Sequence, residues 1–405
     1  MKRRGMVYVV VMGVCGLAVA IALAGVTISG QRASSIRAVS ESAEASVRAQ
    51  DALMDALRGA RNTSAWRTRA AGATLRDVTL NGMRITVSAA DPVDGDLIDS
   101  LDDSIRLTAV VGNRRIRRVM SLDIEPDVRA MPCLGYSVIV GGSLKLTGST
   151  LTTNRTVHAN ATVELISSTL SGNVTSGGSI TGAGISGSAN ASAATVVVPK
   201  SLDVVHQYTE MVPEVDRSSS DISFTNALVT PAQPQLGGIA GDLAVVNLGG
   251  RRLGLSQSRV AGTIVVTRAD EVRLESSLLM TPSPGMPALV TRSNVFVNML
   301  GSDFSEVGVS RNLNPSGWPY LGVTDSDTSD WYPSEINGVV YVGGNAEIRG
   351  RLIVNGVLVV AGDLVLSGAT VTVRWNELKN IPPGFRQQPE FRIVPGSMNR
   401  LVDEP

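Results

Sequence analysis

The chain has 405 residues, and its 36 Lys and Arg balance its 36 Asp and Glu, so it offers nucleic acid no concentrated basic surface. Two histidines and two cysteines leave almost no material for zinc, haem or iron–sulfur sites and exclude a disulfide scaffold. The 41 glycines, with 43% apolar and only 4% aromatic residues, point to stacked strands and turns around a buried core.

Lys2, Arg3 and Arg4 precede an uncharged run from Met6 to Gly30. As a helix this run reaches about 37 Å, enough for a hydrocarbon core of roughly 30 Å. The basic residues favour the cytoplasmic side, which predicts a single-pass protein of the cytoplasmic membrane with its bulk periplasmic or extracellular. Two rivals stand beside the anchor. Ala22-Leu23-Ala24 has the form of a signal-peptidase site, and Cys15 would be a lipoprotein cysteine, although Met12-Gly13-Val14 is a poor lipobox. Residues 31–58 contain no helix breaker and place Ile36, Val39, Ala43, Val47, Met54 and Leu57 at helical spacing. One helix over 6–58, stopped near Gly59, is therefore expected, either as anchor and stalk or as the spine of a filament subunit.

Lys2-Arg3-Arg4-Gly5 followed by Met6 and an apolar helix resembles a type IV prepilin leader. The resemblance implies a leader over 1–5, cleavage between Gly5 and Met6, and partners that are other pilin-like subunits packed along the helix. At the fifth mature position, where most of that family has glutamate, this chain has Val10. Some minor pilins and tip-type pseudopilins share that departure, so the resemblance is to a minor pilin-like or pseudopilin-like component.

Over 70–130 the runs LRDVTL, MRITVSA, IRLTAVV and RRIRRVMSLDI alternate, with Asn81-Gly82 and Gly112-Asn113 between them. They predict a small antiparallel sheet domain of two hairpins. The stretch Asp91 to Asp103 is read as a solvated loop, with calcium as the sharper alternative, although EF-hand spacing is absent.

From 134 to 380 the sequence repeats. LKLTGSTLTTN from Leu144 aligns with VELISSTLSGN from Val163 at an offset of 19, and RRLGLSQS from Arg251 with DEVRLESS from Asp270 at 19. INGVVYVGGNAEIRG from Ile336 aligns with VNGVLVVAGDLVLSG from Val354 at 18. Such periods, with Val, Ile and Leu alternating and Gly, Asn or Asp at corners, predict a parallel β-helix. The repeats resemble those of bactofilin-type polymers and of exported surface proteins. Residues 199–235 and 311–335 are read as inserts, and 381–405 as a tail covering or passing the edge of the last coil; sheet domain and tail would then block the two ends of the stack.

The chemistry is sparse. Catalytic residues and a metal cofactor are not expected, and His158 and His206 are read as surface or corner residues. Cys133 is a lone thiol. Gly182-Ala-Gly184-Ile-Ser-Gly187 matches G-x-G-x-x-G without the strand and helix that dinucleotide binding needs, and the sequons at Asn62, Asn154, Asn160 and Asn173 suit any Ser/Thr/Asn-rich solenoid. The one candidate ligand or calcium loop is Asp325, Asp327 and Asp330, beside Trp318, Tyr320, Trp331 and Tyr332.

The fold expected is mainly β: a long N-terminal helix, a small antiparallel sheet and a parallel β-helix. The function expected is a non-enzymatic, membrane-anchored structural protein serving surface filament assembly or adhesion. The alternative is a membrane-tethered β-helix that binds or cleaves cell-surface polysaccharide.

Overall fold

The computed structural model describes residues 3–62, 66–71, 74–97, 103–127, 129–238, 241–387 and 390–401. The chain divides into two compact units, one of residues 1–128 with 388–405 and one of residues 129–387.

In the first unit, α1 (Arg3–Asn62) is one uninterrupted helix of 60 residues. Every residue from Val9 to Ser40 is exposed. Beyond that, Ala45, Ala49, Ala52, Leu53, Leu57 and Ala60 pack on the sheet. The sequence pointed to a different stripe: of its six residues only Leu57 is buried, while Ile36, Val39, Val47 and Met54 remain outside. The inward face is mostly alanine, which lets the helix backbone approach the sheet closely and leaves a weak hydrophobic signal. After the short α2 (Trp66–Ala70) come β1 (Thr74–Leu80), β2 (Met83–Ala90), β3 (Ile105–Gly112) and β4 (Arg117–Asp127), an antiparallel meander. Asn81 and Gly82 have φ of 48° and 76°, the left-handed pair of a tight hairpin turn. Ile85, Val87, Leu107, Ala109, Leu122 and Ile124 form the buried face under α1.

The tail departs from expectation. Glu390–Ile393 and Asn399–Leu401 both pair antiparallel with β4, completing the sheet of the first unit. The Ser397 hydroxyl spans the interruption between them, accepting from the Asp123 amide at 3.1 Å and donating to its carbonyl at 3.0 Å. The second unit is thus an insertion between two neighbouring strands.

That unit is a parallel solenoid whose stacking order is not its chain order. The first coil (138–153) is followed by 157–171 and 174–185, ending at Ala189–Asn190. The chain then forms α3 (Ser201–Met211) and resumes at the other end of the stack with 215–229. From there it winds back through 243–261, 263–281 and 289–299 to 339–354 and 357–373. This last coil pairs with the first, Leu358 with Val138, Leu364 with Leu144 and Val371 with Leu151. The coils at which the solenoid's chain begins and ends are therefore neighbours inside the stack and not its two end coils. Residues 215–229 are a coil, although the sequence pattern assigns them to an insert.

The expected registers are visible: Leu144 pairs with Val163 and Ile336 with Val354. The Arg251 alignment holds from Leu253–Val272 to Ser256–Glu275 and slips on either side. Like residues stack, as where Asn355 donates its side-chain amide to Asn337 at 2.9 Å. The strands around Ile139, Val245, Val265, Val290, Tyr341 and Val359 are buried on both faces, inward to the solenoid core and outward under Val204, Val205 and Tyr208 of α3. Tyr208 donates to the Pro383 carbonyl at 2.5 Å and Tyr341 to that of Pro199 at 2.7 Å.

Candidate functional site

Gly5 and Met6 lie in the first turns of α1. The apolar part of that helix is long enough to cross a membrane, and none of it is buried by the described residues.

The second candidate is the excursion that leaves the solenoid after Met299 and returns at Glu335. Arg259, on a solenoid strand and almost wholly buried, holds it down. Its guanidinium donates to the carbonyls of Leu313 at 2.5 Å, Trp318 at 2.9 Å and Pro319 at 2.5 Å. Burial pushes the Arg259 pKa down, while the rings of Tyr320 and Tyr332, at 5.3 and 6.0 Å, favour the cation. Tyr332 is buried and Trp331 is 68% exposed, so only part of the aromatic group packs the loop.

Ser305 caps a single helical turn, Glu306–Val309, by accepting from the Gly308 amide at 3.1 Å. This turn puts the Glu306 carboxylate inside the excursion, fully buried. It accepts from the Leu313 amide at 2.5 Å and the Tyr332 hydroxyl at 2.8 Å. Asp325 and Asp327 bring carboxylate oxygens that lie, with that of Glu306, within 4.8 Å of one another. Asp330 stands beside them through Asn314, whose amide nitrogen donates to Asp330 at 2.8 Å and to Asp325 at 3.3 Å. Burial, then the charges of Asp325 and Glu306, raise the Asp330 pKa. Hydrogen bonds from Ser329 lower that of Asp327. The structure thus brings Asp325 and Asp327 together with Glu306, which sequence reasoning missed, and places Asp330 at one remove. Asn312 and Asn314, also missed, stand close to the aspartates in sequence but match no ligand spacing.

The remaining motifs are structural. Among the described residues, Glu164 pairs across the coils with Lys145 at 3.0 Å, and Glu347 pairs along its own strand with Arg349 at 2.7 Å. His158 is buried rather than at the surface, its ring nitrogens bonded to Thr175 at 2.8 Å and Asn160 at 2.9 Å; His206 is exposed. Each glycine of the G-x-G-x-x-G run lies against the preceding coil, where a Cβ would overlap the carbonyl oxygen of Leu165, Ser168 or Gly172. Asn154 bonds the backbone of Trp375 both ways, at 2.7 and 2.9 Å. In the acidic stretch, Asp91 and Asp94 accept from backbone amides two residues on, whereas Asp99 and Asp102 lie outside the described residues. Burial pushes the Cys133 thiol up to about 12 and makes it a poor nucleophile.

No family model and no curated protein matches the chain. Among solved structures, a competence-associated pilin, ComZ from Thermus thermophilus, aligns with 90% of this chain and 98% of its own at a TM-score of 0.28 and 10% identity. An ice-binding protein from the Antarctic ascomycete Antarctomyces psychrotrophicus aligns with 60% and 97% at a TM-score of 0.27 and 14% identity. Likenesses of this strength establish neither a family nor a function.

Proposed function

We propose that the chain is a non-enzymatic, membrane-anchored structural protein, a minor pilin-like subunit that carries a β-solenoid for surface filament assembly or adhesion. The observation that carries this reading is one continuous exposed apolar surface along α1. It begins in the span from Val9 and continues past Gly30 through Ile36, Val39 and Val47 to Met54. A plain membrane anchor needs no apolar stripe beyond the hydrocarbon, whereas a helix that passes from the membrane into a bundle of like helices needs it along its length. Lys2-Arg3-Arg4-Gly5 then serves as a leader removed before assembly, and the solenoid stays outside the membrane.

The test is the N-terminus of the protein recovered from native membranes, read by mass spectrometry. A start at Met6 supports the pilin-like reading. An intact Met1 or a start at Gly25 overturns it.

A second reading, a tethered polysaccharide binder, is favoured by the exposed indole of Trp331, which follows Asp330 in the chain. Trp331→Ala would abolish retention on a polysaccharide column if that reading is right and leave it unchanged if not.

A further inference from the structure

We propose that the excursion between Met299 and Glu335 is a calcium-binding loop, the ion held by Glu306, Asp325 and Asp327 together with the amide oxygen of Asn314. The proposal is independent of how α1 is used.

Two observations meet here. The first is an excess of buried negative charge. Glu306 is fully buried, Asp325 and Asp330 are partly so, and Asp327 completes a group of four carboxylates. Among the described residues, no Lys or Arg forms an ion pair with any of them, and the three bonds Arg259 makes all go to backbone carbonyls. The guanidinium of Arg259 acts on Glu306 through space, but it is one positive charge against four carboxylates; buried charge in excess of its counter-ions is costly, so the group calls for a cation. The second is Asn314, which is 1% exposed and whose Oδ1 has no hydrogen-bond partner. The same amide touches Asp325 and Asp330 through its nitrogen. A half-turn about Cβ–Cγ exchanges the two atoms and points the orphaned oxygen at the carboxylates, where a cation would take it as a ligand.

The donor set selects the ion. All donors are oxygens, with no His or Cys among them, which suits a hard cation and not zinc. Calcium–oxygen bonds of roughly 2.3–2.6 Å bridge donors up to about 5 Å apart. The three carboxylate oxygens, within 4.8 Å of one another, meet that span without backbone movement. The carboxylates come from segments around 306 and 325–327 with a short-range turn at 312–314, an irregular cage of the kind calcium accepts and magnesium, with its stricter octahedron, does not. An affinity on the order of 10⁻⁴ to 10⁻³ M is expected, the range of extracellular modules.

The experiment titrates the full chain in detergent micelles with terbium. The Tyr332 hydroxyl lies 2.8 Å from Glu306, so that ring would sensitise terbium emission at this site. Expected is saturable emission displaced by calcium and not by equimolar magnesium. Asp327→Asn, at an exposed position where folding is not at stake, should weaken calcium at least tenfold, while Asp94→Asn in the other acidic stretch should not. Hydrogen exchange across 304–332 should slow when calcium is added. Absence of saturable emission, equal displacement by magnesium, or an Asp327→Asn protein that binds like its parent would each overturn the proposal.

Discussion

The two units bury apolar surface by contacts of opposite kind. In the first, the alanine side of α1 lies on an antiparallel sheet, and that sheet is finished by strands about 260 residues further along the chain. In the solenoid, each coil finds its neighbour's side chains in register above and below, Leu146 between Leu366 and Leu165. The difference teaches where each unit gets its order. The solenoid carries all its partners within itself and brings its own ends together, the Gln387 amide donating to the Arg129 carbonyl at 2.8 Å. The sheet relies on that closure, because joining the ends of a flexible loop of this length costs on the order of 5 kcal/mol.

The largest test breaks this asymmetry from both sides. Leu146→Asp puts an unpaired carboxylate into the solenoid interior, at a site 0% exposed. It should cost more than about 4 kcal/mol and unfold residues 129–387. The strands at 390–401 should then lose exchange protection too, since nothing holds their loop closed. The reciprocal variant, Phe391→Ala, removes a ring 6.0 Å from Trp66 and should cost about 3–5 kcal/mol in the first unit. Hydrogen exchange within the solenoid should be unchanged in that variant. Equal loss of protection in both units from Phe391→Ala would show that they fold as one.

Much of the solenoid was legible because every coil repeats one environment. Offsets of 18 and 19 superposed Asn337 on Asn355 and Leu151 on Leu170, and those pairs are neighbours in the sheet. Stacking order was not legible, because pairing of the last coil with the first leaves the period untouched. Runs such as VVYV from Val339 and VLVV from Val357 did carry a signal for α3, since strands apolar at consecutive positions are covered on both faces. The tail strands were hidden by brevity, being EFRI and NRL against a single partner. At the acidic excursion, Asp325 and Asp327 were visible as a cluster. Glu306 was not, because only the Ser305-capped turn and the Arg259 anchor bring it there.

A smaller effect sharpens the account of the solenoid alone. Cys133 belongs to the layer under α3, and burial raises its thiol from 9.0 to about 12. Between those values the unfolded chain loses a proton that the folded one keeps. Its contribution is therefore fully present below about pH 9 and lost as pH rises towards 12, at about 1.4 kcal/mol per pH unit. Urea midpoints of the solenoid should fall over this window in the parent and fall less steeply in Cys133→Ala. Parallel slopes would place the alkaline loss elsewhere.

The smallest expected change in stability separates the two faces of α1. Val39 and Val47 are 70% and 56% exposed, whereas Ala49 is fully buried against the sheet. Val39→Ser with Val47→Ser removes exposed apolar surface that, among the described residues, belongs to no buried cluster, so the first unit should keep its stability to within about 0.5 kcal/mol. Ala49→Leu, two residues from Val47 and so on the inner face, adds three carbons to a closed contact and should cost about 1–3 kcal/mol. Chemical cross-linking in native membranes should reverse that order. If the outer stripe packs on other helices, the double serine variant loses its cross-linked partners while remaining folded, and Ala49→Leu keeps them for as long as it folds. A double serine variant that cross-links like the parent would mean that the outer stripe packs on no other helix, leaving α1 as anchor and stalk.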